Sequence, residues 1–271
     1  ALYDFANTIF SAIVLTFYFP LYLTDLTGRN LELGLVTTAS MIFAGFGVPW
    51  LGGLSDRTGK TKGYLVLTTL ACVFFTSALS LFTQVNLLFP AFFFACFFFH
   101  ASLVFYSSLL PVVAEPKHRG FASGLGIALG YFGVLFSVPI AHAVSHLWGR
   151  RFVFVTAGVL FLVFSIPLFK WVPERKVSNP QRPNWSILLE EWKRVGKTAA
   201  FVIKEKQLLF FFLGNFFLVD GVKTAIFWLV VYMQRVFLPS PNHLLFIFLS
   251  LNFSAFLFGF LAGWLTDRFS A

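Results

Sequence analysis

Charge is what this sequence has least of. Only 11% of its 271 residues are Asp, Glu, Lys or Arg, where a soluble domain carries about 25%. With 58% hydrophobic residues and a mean hydropathy of +0.82, the chain is far too apolar for a soluble globular domain of this length. Cysteine is nearly missing. Cys72 and Cys96 both fall inside apolar runs, so neither a disulfide framework nor a cysteine metal site has support. No His or Cys cluster has metal-ligand spacing, and no Gly-x-x-x-x-Gly-Lys-Ser/Thr phosphate loop is present, so ATP-driven chemistry is unsupported. No polar segment is long enough for a catalytic domain. No cofactor is therefore expected, and no enzyme activity. The opening Ala1-Leu2-Tyr3-Asp4 lacks an initiator Met, a basic start and a small-residue cleavage site, so it reads as a piece of a longer chain rather than as a signal peptide.

Phenylalanine is abundant instead. Forty of them are too many for one core and suit helices that face lipid. A span needs roughly 20 mostly apolar residues to cross about 30 Å of hydrocarbon. Reading for that length gives eight, at about 5–24, 33–54, 63–82, 87–112, 121–144, 152–171, 208–232 and 244–264. The fold class expected is an all-α polytopic membrane protein. Six spans (residues 1–172) precede a polar linker at 173–207, and two spans (208–271) follow it.

The net charge of +9 admits a nucleic-acid partner, but its placement reads better as the positive-inside bias of membrane loops. Fifteen of the 20 Lys and Arg lie in loops on one side, four on the other, and Lys223 lies within a span. The richer side is expected to be cytoplasmic, with the N-terminus inside and no nucleic-acid role. In the linker, Trp185, Leu188, Leu189, Trp192, Val195, Ala199, Val202 and Ile203 recur at helical spacing, with Pro183 and Asn184 as start signals. Two readings are open for this amphipathic helix: it lies on the cytoplasmic leaflet, or it packs on loop ends.

Two short patterns recur. The hinge Gly52-Gly53-Leu54-Ser55-Asp56-Arg57-Thr58-Gly59-Lys60-Thr61-Lys62 joins spans two and three, and Gly263-Trp264-Leu265-Thr266-Asp267-Arg268 repeats it, with Asp267 lying 211 residues after Asp56. Tyr3-Asp4-Phe5-Ala6-Asn7-Thr8 aligns with Val219-Asp220-Gly221-Val222-Lys223-Thr224, 216 residues on. Spans one and seven share an orientation, as do two and eight, so the halves are parallel copies, the relation found between the halves of major facilitator transporters.

The hinge resembles the loop 2–3 signature of the major facilitator superfamily, and Glu115-Pro116-Lys117-His118-Arg119-Gly120 resembles its loop 4–5 pattern. Tyr3-Asp4-Phe5-Ala6-Asn7, Phe105-Tyr106-Ser107-Ser108-Leu109-Leu110-Pro111, Ser123-Gly124-Leu125-Gly126-Ile127-Ala128-Leu129-Gly130-Tyr131 and Asp220-Gly221-Val222-Lys223-Thr224 are similar to the autophagy-related vacuolar effluxer family and its bacterial relatives. A small polar residue is expected where Lys223 stands. The resemblance implies a twelve-span fold, of which this chain holds about eight, and secondary transport of a small polar solute. Amino-acid efflux is one substrate class, proton coupling one energy source. It also implies a monomer in a bacterial inner membrane, or in the vacuolar membrane if fungal. A facilitator-fold scaffold or receptor that does not transport is the alternative.

Chemistry then points to two groups of residues. Gly53, Asp56, Arg57, Gly59, Lys60, Arg119, Asp267 and Arg268 form the expected gating motif; the resemblance implies that Asp56 helps to latch the cytoplasmic ends of the halves, and a plain charged turn is the bland alternative. Asp4, Asn7, Tyr106, Asp220 and Lys223 are the substrate or coupling candidates, because a charge at the bilayer centre costs about 3 kcal/mol and so faces a partner or a wet cavity. Asp220 and Lys223, at i and i+3, are close enough to neutralise one another. The polar stripe Asp4, Asn7, Thr8, Ser11 either lines a cavity or bonds neighbouring helices. His100 is read as a packing residue ahead of a proton relay, and Gly124, Gly126, Gly130 and Gly133 as a helix-packing face.

Overall fold

A computed structural model describes residues 2–28, 31–113, 119–174, 185–238 and 240–269. Among them every regular element is helical, and eight helices are long and apolar enough to cross a membrane. The protein is an integral, multi-pass membrane protein. We number the helices α1 (Leu2–Thr27), α2 (Leu31–Thr58), α3 (Thr61–Ala78), α4 (Val85–Val113), α5 (Arg119–Leu147), α6 (Phe152–Trp171), α7 (Trp185–Lys204), α8 (Lys206–Val236) and α9 (Pro241–Phe269). All are spans except α7, which lies in the linker.

Most helices overrun the expected spans because a helix continues past the hydrocarbon into the headgroup layer. The third span is the exception. It was expected to reach residue 82, but α3 stops at Ala78 and the chain tightens into a turn, with Leu79, Ser80 and Leu81 amides bonding the carbonyls of Thr76, Ser77 and Ala78. The Ser80 hydroxyl donates to the Ser77 carbonyl at 2.6 Å, competing for an acceptor that the helix would otherwise use.

α1 is the hub. It packs against α5 and α6 and, over its second half, against α8. Its middle, Ser11–Tyr18, is a π-helical stretch in which the Thr16 hydroxyl reaches back to the Ser11 carbonyl at 3.1 Å. The widened turn rotates the two ends of the helix relative to one another, so polar residues before Ser11 need not share a face with those after it. The core is aromatic as well as aliphatic: Phe19 stacks on Phe92 with ring centroids 3.8 Å apart, and Phe10 on Phe99 at 4.5 Å. Lipid-facing placement thus accounts for only part of the phenylalanines. Phe43, Phe46 and Phe74 are exposed, whereas Phe10, Phe19, Phe92, Phe105, Phe154 and Phe161 are fully buried.

α8 and α9 join this bundle differently. α9 runs closely along α5: a Cβ added at Gly259 would lie 3.5 Å from Ile127 and 3.6 Å from the Ala128 amide. α8 is anchored by its last third, where Val230 and Val231 are buried and Phe227, Trp228 and Met233 pack on the core. Its earlier part, with Asp220 and Lys223, is exposed.

The helix ends sort into two groups. At one, which we call the hinge end, Gly59 closes the turn between α2 and α3 with φ of +67°, its amide bonding the Ser55 carbonyl, while Ser55 and Thr61 hydroxyls share a buried 2.8 Å hydrogen bond. At the opposite end, Arg150 pairs with Asp25 and the Arg235 guanidinium donates to the Gly28 carbonyl at 3.4 Å. The left-handed backbone at Gly59 costs a residue with a Cβ about 1–2 kcal/mol. Gly59→Ala is therefore expected to lower the unfolding midpoint of the full-length protein in detergent. Gly196→Ala, placed in α7 where a Cβ meets nothing within 4 Å, is expected not to lower it.

Candidate functional site

Asp4 sits in the first turn of α1 and is half-buried. Its Oδ2 accepts a short hydrogen bond from the Tyr106 hydroxyl of α4. Tyr3 continues the cluster: its ring lies 4.7 Å from that of Tyr106, and its hydroxyl shares a 2.6 Å hydrogen bond with Thr69 of α3. Four helices thus converge here, because α5 supplies the floor. A Cβ at Gly126 would collide with the Asp4 carboxylate, one at Gly130 with the Thr8 hydroxyl, and one at Gly133 would lie 3.0 Å from the Phe5 ring. The glycine stripe is a groove cut for the polar edge of α1, which explains why the small residues recur at helical spacing. Tyr106 and Gly126 each lie seven residues from the hinge ends of their helices, about 10 Å along the axis. That sets the depth of Asp4 independently of where α1 begins.

Asn7, one turn on, is 6% exposed, and neither its amide oxygen nor its nitrogen has a hydrogen-bond partner among the described residues. A buried polar group without a partner costs about 1–3 kcal/mol, so Asn7 stands out among the described polar residues of α1. Thr8 instead donates to the Asp4 carbonyl at 2.8 Å.

On α8, Asp220 and Lys223 line a shallow groove of about 580 Å³ together with Asn215, Phe216 and Val219. They form no ion pair with each other among the described residues, so the alternative of a self-neutralised pair is not observed. At i and i+3 the two side chains leave the helix on neighbouring faces, and exposure gives neither a reason to fold back. Lys223 is instead within electrostatic reach of His100 on α4, whose ring packs on Phe99.

The gating candidates meet an unexpected partner. Arg57 donates from Nε to Glu191 Oε1 at 2.7 Å and from Nη1 to Glu190 Oε2 at 2.6 Å, so both acidic residues of α7 grip one guanidinium. The Glu191 side chain is only 5% exposed, and it occupies the space that a side chain at Gly53 would need, its Cδ lying 2.6 Å from where that Cβ would be. Phe46 and Trp192 stack with centroids 6.0 Å apart, extending the contact along α2. The packed reading of α7 is thus the one observed for its acidic face. A second tie closes the linker's start: the Lys62 amide, in the first turn of α3, donates to Glu174 at 2.7 Å. Asp56 borders the groove between α2 and α7. Lys60 precedes α3. Arg268 lies over the Trp264 ring at 5.0 Å. Arg119 opens α5, but its side chain, that of Asp267, and residues 114–118 and 175–184 lie outside the described set.

Tyr3, Thr69, Glu190 and Glu191 belong to the site and were not singled out from sequence. Tyr3 reads there only as part of the motif Tyr3-Asp4-Phe5-Ala6-Asn7. The adjacent acids in an otherwise basic helix were the available signal for a cationic partner.

The sequence matches the Major Facilitator Superfamily profile over residues 4–271. It is 29% identical to an "Uncharacterized protein" of Aquifex aeolicus (strain VF5), over 99% of this chain and 65% of that one. It is 27% identical to the "Uncharacterized MFS-type transporter YxiO" of Bacillus subtilis (strain 168), over 99% of this chain and 67% of that one. It is 29% identical to "Autophagy-related protein 22" of Yarrowia lipolytica, over 51% of this chain and 28% of that one. The chain spans about two thirds of the length of the first two. No solved structure matches it. With eight helices among the described residues long and apolar enough to cross a membrane, a hinge motif between α2 and α3, and a family match from Asp4 to Ala271, this chain belongs to the major facilitator superfamily and is similar to proteins named MFS-type transporter and autophagy-related protein 22.

Proposed function

We propose that the protein is a secondary active transporter that moves a small polar solute by alternating access. Residues 1–172 form one six-helix half, 173–207 the linker, and 208–271 the first two helices of the other half. The observation that carries this reading is the splay of α8 from α1. The two helices pack over Ser11–Thr27, at the end away from the hinge, while Asp4 and Asp220 lie on stretches nearer the hinge. A solute entering there would meet Asp4, Asn7 and Tyr106 on one wall and Asp220 and Lys223 on the other.

Carboxylates and an ammonium on facing walls suit a zwitterion: Lys223 binds a carboxylate, and Asp4 or Asp220 an ammonium group. That favours amino acids as the substrate class, with export as the direction and a carboxylate of the pair carrying a coupling proton. The loop-charge bias places the hinge end in the cytoplasm. The full-length protein in proteoliposomes, tested with a panel of radiolabelled amino acids under an imposed pH gradient, provides the check. Asp220→Asn is expected to lower uptake about tenfold, since one charge-assisted hydrogen bond is worth roughly 1.5–3 kcal/mol. Unchanged uptake with unchanged pH dependence would remove Asp220 from the mechanism.

A further inference from the structure

At the end opposite the hinge, His142 and His146 stand one turn apart on α5, away from the candidate solute contacts Asp4, Asn7, Tyr106, Asp220 and Lys223. Their Nε2 atoms are 3.1 Å apart, with ring centroids at 4.5 Å and planes at 80°. We propose that these two imidazoles form a binding site for a borderline divalent transition-metal ion, of which Zn²⁺ and Ni²⁺ are the representative members.

Four features carry the assignment. Histidines at i and i+4 project from one helix face, the spacing that lets two rings chelate one ion. Zinc–nitrogen bonds of about 2.0–2.1 Å at ordinary coordination angles place two ligand nitrogens roughly 2.9–3.4 Å apart, a range that contains the separation observed. An ion can take this place with little ring movement, displacing the proton now shared between the two nitrogens. Next, the Asn242 side chain, in the first turn of α9, is within hydrogen-bonding reach of the His142 ring. Because Nε2 faces His146, Nδ1 is the nitrogen free to be held as Nδ1–H by a neighbouring acceptor, which would leave Nε2 as the metal-binding lone pair, the usual arrangement around a ligating histidine. Finally, His146 is exposed and lies in the last turn of α5, where the negative end of the helix dipole favours a cation, and the nearby Arg150 is already paired with Asp25.

Among the described residues no third His, Cys, Asp or Glu joins the pair, so water fills the remaining positions. Imidazole ligation selects Zn²⁺, Ni²⁺ or Cu²⁺ over Mg²⁺ and Ca²⁺.

The test is titration of tag-free, full-length protein in detergent with ZnCl₂ or MgCl₂, following stoichiometry by calorimetry and the unfolding midpoint by scanning fluorimetry. The expected result is one Zn²⁺ per chain, a raised midpoint reversed by EDTA, and no response to Mg²⁺. His146→Gln is expected to weaken binding by more than about tenfold, the least that losing a supporting group costs a metal site, and His142→Gln/His146→Gln to abolish it. His146 is exposed, so the single variant keeps the test informative should the double variant fail to fold. No stoichiometric binding, equal binding by His146→Gln, or an equal response to Mg²⁺ would overturn the proposal.

Discussion

Replacing Asp4 with Asn in the full-length protein is expected to abolish gradient-driven solute movement while leaving solute exchange across the membrane in place. Asn is nearly isosteric with Asp, and its carbonyl can still accept from the Tyr106 hydroxyl. The fit against Gly126 is kept, so packing is not the variable. What is lost is the negative charge and the capacity to take up and release a proton. A carrier whose coupling proton sits on Asp4 can then still reorient with solute bound, which exchange reports, but no longer couples to the gradient. Tyr106→Phe separates the hydrogen bond from the proton. It should slow both modes by about tenfold, the effect of roughly 1.4 kcal/mol, and preserve coupling. Radiolabelled uptake and counterflow in proteoliposomes read the two modes separately. Equal loss of both in Asp4→Asn would reduce Asp4 to a solute contact.

Arg57→Ala is expected to have the largest effect on stability. Glu191 is buried to 5% exposure beneath Arg57, in the space that Gly53 leaves open. Removing one partner of a fully buried ion pair costs roughly 3–5 kcal/mol, mostly because the other charge is stranded. Arg57 keeps 25% of its exposure and Arg194 stays 3.9 Å from Glu191, so water and that second cation offset part of the cost and about 2 kcal/mol is the expected loss. Glu191→Gln should cost less, since an amide can still accept from Nε. Glu190, at 59% exposure, should be almost silent when replaced alone. Arg57→Ala/Glu191→Leu is expected to recover most of the loss, because it strands nothing. Unfolding midpoints of the four variants in detergent decide this. A double variant no better than Arg57→Ala would mean that the pair is not the source of the effect.

The spans were legible because each is a run of about 20 apolar residues, a signal no soluble helix imitates. The hinge was legible for a local reason: Gly59 is needed for its positive φ, and the motif is contiguous. Asp4 and Tyr106 could be nominated separately, but their hydrogen bond spans 102 residues and no periodicity reports it. The sequence leaves the hold of α7 on α2 open between two readings for the same reason. Glu190 and Glu191 read as the polar face of an amphipathic helix, and their partner lies more than 130 residues earlier. The end of α3 was missed because hydropathy does not see a serine hydroxyl bonding a backbone carbonyl. The glycines of α5 were read correctly as a packing face, although only the structure gives what they receive, namely Asp4, Thr8 and Phe5.

Alternating access is the central claim, and it can be tested without knowing the solute. Spin labels on the full-length protein in nanodiscs at Lys60 and Arg268, and in a second sample at Gln84 and Phe237, report separations at the hinge end and the opposite end. Double electron–electron resonance is expected to give two distance populations at each end, with conditions that lengthen one pair shortening the other. A single unchanging population at both ends, across pH and across the amino-acid panel, would contradict the account.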